Sequence, residues 1–166
     1  MDVNNLIQGL LGGLIFAVMG YGLSKIGGRK TKKIERELMA GFSDISLSIK
    51  EKTAILLLLM KIAECDGKIN SKESIVLQSI TNLFDYNIND KETYSIGIEL
   101  DTFSVSELSG LLINLDLSQK EWLVKTIITL IESDKLSNEQ EIDFIQPILV
   151  SIGITKSQYN EINNKP

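Results

Sequence analysis

The sequence predicts an all-α chain: a bundle of about seven or eight helices with a weak internal two-fold repeat, preceded by one N-terminal transmembrane helix. Three observations carry this expectation. No sustained run alternates apolar and polar residues with period two, and no Asn-Gly or Asp-Gly hairpin joins two β-rich runs. Six motifs instead have the form of a helix N-cap followed three residues later by Glu or Gln. The chain also begins with a long charge-free apolar stretch.

Composition narrows the chemistry. Of 166 residues, 43% are hydrophobic, enough for a buried core and too many for wholesale disorder. There is no histidine, which excludes Ser-His-Asp and Cys-His catalysis, a histidine general base and histidine-ligated metals. Cys65 is the only cysteine, so there is no intrachain disulfide and no cysteine-rich zinc site. Glu64 and Asp66 flank it, and their charge raises a thiol pKa, making Cys65 a poor nucleophile. No Gly-rich phosphate loop of Walker type is present.

The apolar stretch comes first in the chain. From Val3 to Ser24 there is no charged residue, and Leu6 to Ile26 as a helix spans roughly 30 Å, about one hydrocarbon core. A secretory signal would begin with positive charge, whereas MDVNN carries none and the positives follow, at Lys25 and in the run Arg29, Lys30, Lys32 and Lys33. By the positive-inside tendency the expectation is a single-pass membrane protein with a very short outer amino terminus and a cytoplasmic body. The alternative is a helix buried against the body or lying on a surface. Gly9 and Gly13 form a small-xxx-small pair that would let two such helices approach as a homodimer, although glycine is also simply common in membrane helices. The basic run reads as a stop-transfer flank, with contact to anionic headgroups as the second reading.

Charge divides the chain. Residues 1–39 hold six positives and three negatives, a net of +3, while the whole chain is −5, leaving −8 on residues 40–166. So acidic a body repels a nucleic-acid duplex. The expected organisation is a Gly-rich transmembrane anchor over 1–28, a basic juxtamembrane linker with a short helix over 29–47, and a helical domain over 48–166.

Within the body, Ser48-x-x-Glu51, Asn70-x-x-Glu73, Ser104-x-x-Glu107, Ser118-x-x-Glu121, Ser137-x-x-Gln140 and Thr155-x-x-Gln158 mark helix starts. They predict helices at 33–41, 49–65, 71–85, 90–100, 105–116, 119–133, 138–152 and 156–163. Ile55, Leu58, Leu59 and Ile62 form one stripe, yet Leu56 and Leu57 face elsewhere and are also apolar, so this helix is expected at the centre. Its apolar run, between Lys52 and Lys61, is too short to cross a bilayer. Leu108, Leu111, Leu112 and Leu115 make a second stripe, and Leu123, Ile127, Ile128 and Ile131 a third. Trp122 reads as core, and Pro147 is expected to kink its helix.

Residues 60–80 resemble residues 127–148. Each stretch is an apolar helix ending in Glu-x-Asp, then a turn, an Asn/Ser-led cap, an acidic residue and a second apolar helix. In this pattern AECDGKINSKE and IESDKLSNEQE resemble the helix–Asp-Gly–helix repeat of TerB-like domains, the family of tellurite resistance protein B, over about residues 48–163. A Gly-rich span, a basic flank and such a domain are similar to the front half of DjlA-type membrane-anchored co-chaperones. The chain has no J domain up to residue 166 and no His-Pro-Asp motif, so stimulation of a chaperone ATPase is not implied. The second copy has Lys135 in place of the motif's glycine, and either Gln140 or Glu141 matches the motif acid.

The resemblance implies a divalent metal cation held by Asp66 and Glu73 from the first copy and Asp134 and Glu141 from the second, with Glu64 and Glu132 close by. The residues themselves offer another reading: Glu73 completes a cap, and Asp66-Gly67 suits a helix-ending turn. With no catalytic set in the sequence, the leading expectation is a non-catalytic, membrane-tethered scaffold or sensor. It would hold a protein partner on the cytoplasmic face, in tellurite-resistance or envelope-stress response. The alternative is an acidic, metal-cation-binding regulatory domain.

Overall fold

The computed structural model describes the backbone over residues 29–42, 45–64, 69–87, 89–132 and 138–163, and side chains over the same residues except 29–32, 40 and 138–144. Among the described residues there are eight helices and no strand: α1 (Arg29–Ala40), α2 (Ile49–Ala63), α3 (Ser71–Leu83), α4 (Lys91–Asp101), α5 (Val105–Leu111), α6 (Leu117–Glu132), α7 (Asn138–Ser151) and α8 (Lys156–Asn163). No helix among the described residues is long and apolar enough to cross a membrane. The predicted anchor, with Gly9 and Gly13, lies outside the described residues.

The core is organised around α2. Ala54 through Met60 are apolar without interruption, so no rotation of this helix could leave a polar face to water, and every one of them is buried. The neighbours α3, α4, α5 and α6 all pack on it. Two lysines end the apolar run and serve the helices alongside. Lys52 Nζ donates to the Phe84 carbonyl at the end of α3 (3.2 Å), and Lys61 Nζ to the Asp101 carbonyl at the end of α4 (3.1 Å). Terminal carbonyls have no partner within their own helix, and a cation there also meets the negative end of the helix dipole.

Outside α2 the remaining helices are joined pairwise. The basic helix α1 packs on α3, α7 on α5 and α8 on α6. The indole of Trp122 on α6 reaches α1, where Nε1 donates to the Leu38 carbonyl at 3.1 Å. Beside it Phe42, Phe84 and Trp122 form a triangle with ring centroids 5.0–5.8 Å apart, the tilted geometry that aromatic quadrupoles favour. A Cβ on Gly41 would lie 3.1 Å from Trp122 Cδ1, so glycine is what allows the backbone this close to the indole.

Local chemistry sets the boundaries. Capping boxes are formed at Ser48/Glu51, Asn70/Glu73, Ser104/Glu107 and Thr155/Gln158. The expected box at Ser118/Glu121 is not the one that forms. Asp116 and Gln119 make it instead, each backbone amide donating to the other's side chain at 2.8 Å, and α6 begins two residues earlier. Ser118 thereby falls inside the helix. This also explains why α5 stops at Leu111 rather than 116: the chain must leave helical geometry before Asp116 can cap. Buried hydroxyls are absorbed locally: Thr53, Ser79, Thr81, Ser109 and Thr126 each donate to the carbonyl four residues back. Pro147 does not interrupt α7, which runs through it with the ring exposed.

Both α3 and α7 end in a Schellman motif. Tyr86 N donates to Thr81 O and Asp85 N to Asn82 O, both at 3.1 Å; Ile154 N donates to Leu149 O (2.8 Å) and Gly153 N to Val150 O (3.0 Å). The residue after each cap is left-handed, with φ 48° at Asp85 and 77° at Gly153. An L-residue in this region costs ~1–2 kcal/mol, against ~0.5–1 kcal/mol of chain entropy for glycine. Asp85→Gly is therefore expected to stabilise the fold by about 0.5–1 kcal/mol and Gly153→Ala to destabilise it by a similar amount, as measured by urea unfolding. The added Cβ at 153 meets nothing closer than 3.6 Å, so the loss is conformational and not steric.

Candidate functional site

The expected cation ligands can be followed only in part. Glu73 is 3% exposed, and its Oε2 accepts from the Asn70 amide at 2.7 Å while its own amide donates to Asn70 Oδ1. This carboxylate is thus engaged as the partner of the α3 cap. Asp66 and Asp134 lie outside the described residues, as does the side chain of Glu141 on α7. Among the described residues no three cysteine or carboxylate side chains gather in a group able to hold a metal ion.

Of the basic flank, Arg29, Lys30, Lys32 and Lys33 all lie on α1, with described side chains from Lys33 onward. Lys33 Nζ sits 3.5 Å from Glu37 Oε1 one turn along, with both side chains exposed. This helix is not separate from the body: Leu38 is buried in the main core cluster, beneath the Trp122 contact.

Directly beside that contact is an open groove of about 630 Å3. It runs along α6 between the C-terminal end of α1 and the end of α8. The sequence of α6 explains it. Leu123, Ile127 and Leu130 are fully buried, while Ser118, Glu121, Lys125, Thr129 and Glu132 recur at helical spacing on another side and line the groove. Trp122, Leu38 and Ile162 supply the apolar floor. Ile128, placed in the apolar stripe by its spacing, is only half-buried and lines the groove. The polar stripe was readable in the sequence, but not the two helices that turn it into a groove, since Leu38 and Ile162 are far from it along the chain.

A second charged locus lies at the end of α2. Burial pushes the Glu64 carboxyl above its ordinary range; Lys61 opposes the rise and Asp101 adds to it. Two helix caps show the reverse: Asp90 is held low by the Thr93 amide and hydroxyl, and Glu107 by the Ser104 hydroxyl and amide. The signs differ accordingly. A raised Glu64 binds its proton more tightly in the folded chain, so stability falls as pH rises through the window just above the usual glutamate value. Asp90 and Glu107 contribute stability that is present above their unfolded values and lost as pH falls through their depressed folded values. Thermal melts between the acid range and neutrality should show Glu64→Gln gaining on the parent chain as pH rises. An advantage that does not change with pH would contradict the burial assignment.

Compared with protein-family models, with curated proteins and with solved structures, the chain matches none.

Proposed function

We propose that the chain is a membrane-tethered, TerB-like scaffold or sensor without catalytic activity, holding a protein partner on the cytoplasmic face in tellurite-resistance or envelope-stress response. The observation that carries the reading is the position of the groove. It is bordered by α1, the helix that follows the charge-free apolar segment, and α1 is tied to the groove's floor through Trp122 and Leu38. A partner seated there stays beside the point of attachment. Internal sequence similarity between residues 60–80 and 127–148 supports the TerB-like assignment.

Two measurements test this. Membranes from cells expressing the full chain are washed at alkaline pH. The chain is expected to stay in the pellet, and a version lacking residues 1–28 to appear in the supernatant. A full-length chain released by the wash overturns the tether. A photoreactive residue at Thr129, in the groove, is expected to trap a discrete heavier adduct in intact cells, whereas one at Glu92 on α4 is not. Identical adduct patterns from the two positions overturn the scaffold site.

A further inference from the structure

The groove has a definite chemistry, and it narrows the class of partner. Three carboxylates border it, Glu37 from α1 with Glu121 and Glu132 from α6, against one ammonium, Lys125. Glu121 and Glu132 stand three helical turns apart, about 17 Å at 1.5 Å per residue. Lys125 and Thr129 stand between them on the same stripe, and Trp122 and Ile128 supply the apolar lining beside it. Glu37 already has Lys33 at 3.5 Å, but that pair is solvent-exposed, and a carboxylate can accept from a second cation. Glu121 and Glu132 belong to the acidic part of the chain, residues 40–166, while Glu37 is an acid at the C-terminal end of the otherwise basic α1. An acidic rim about an apolar floor repels nucleic acid and anionic lipid. It complements a segment that presents apolar residues along one face and Lys or Arg on either side of it, the pattern of an amphipathic helix laid into a groove.

We propose that this groove docks a cationic amphipathic helix of a partner protein, its apolar face on Trp122 and Ile128 and its basic residues against Glu121 and Glu132. The proposal rests on the scaffold reading and adds the partner's chemistry to it. Association guided in this way is fast at low salt and weakens as salt screens the rim.

The full chain in a neutral maltoside detergent supplies the test. The probe is a synthetic peptide of two Leu-Lys-Lys-Leu-Leu-Lys-Leu repeats, about as long as the groove-lining part of α6. Its counterpart carries Glu for every Lys. Trp122 is the only tryptophan in the chain and neither peptide contains one, so its emission reports binding at the groove itself. The Lys peptide is expected to shift that emission, and the Glu peptide to bind at least about tenfold more weakly. Glu121→Lys with Glu132→Lys should weaken the Lys peptide at least about tenfold, and Glu121→Gln with Glu132→Gln by an intermediate factor. The Gln pair also serves should the Lys pair misfold. Glu92→Lys with Glu99→Lys, two exposed carboxylates on α4, makes the same change in net charge away from the groove and should leave affinity within about twofold. Unchanged affinity in both groove variants overturns the proposal, as does equal binding of the Glu peptide or an equal loss in the α4 control. If the Thr129 crosslink still forms under any of these results, the scaffold reading stands and the docking chemistry alone falls. If the peptide results hold but no crosslink forms, the reverse is true.

Discussion

A helix that is apolar on every face must be enclosed, and α2 imposes that requirement on the whole body. Ala54 to Met60 offer no polar side, so four helices have to be recruited to cover them. Each fully buried Leu or Ile contributes roughly 1.5–3 kcal/mol relative to exposure, which makes α2 the largest concentration of burial energy among the described residues. The same demand shapes the helix ends. Lys52 and Lys61, at the borders of the apolar run, cannot follow it inward. Their ammonium groups stop at the ends of α3 and α4, where they satisfy carbonyls that the helices themselves leave open.

Enclosing α2 constrains α6 in turn. One side of α6 is given to α2 and α3, and Trp122 at its edge holds α1 by a hydrogen bond and an aromatic triangle. The remaining side carries Glu121, Lys125, Thr129 and Glu132 and has nothing apolar to bury completely. Because α1 and α8 stand on either side of it, this surface is concave and not convex. The groove is thus a by-product of how the core is covered, and its acidic rim comes from the residues α6 could not use inside.

Much of the fold was legible because its signals are local. Ser48, Asn70, Ser104 and Thr155 cap where spacing placed them, and the continuous apolar run from Ala54 to Met60 announced a central helix. Ser118 misled because Asp116 with Gln119 forms an equivalent box two residues earlier, and a pattern match cannot rank two overlapping boxes. Asp85 gave no warning either: it ends α3 in a left-handed conformation that usually advertises itself with glycine, as Gly153 does after α7. The groove was half legible. Its polar stripe follows from the spacing within α6, but Leu38 and Ile162 reach it only through the tertiary fold.

Glu73 shows why acidic motifs are ambiguous when read from sequence. A glutamate three residues into a helix is favoured by the dipole and by a reciprocal cap, and the same position beside an Asp-Gly turn is what a hard cation would select. Geometry separates the two. At Glu73, Oε2 is within 2.7 Å of the Asn70 amide and the side chain is almost wholly buried, so one lone-pair direction is already taken and displacing it would unmake the start of α3. Glu132 in the groove sits in a different helix environment. Glu132 is exposed near the end of α6, where the helix dipole disfavours a negative charge. Local helix chemistry therefore does not account for a carboxylate at Glu132, whereas a cationic partner would, which makes it the more informative acid of the two.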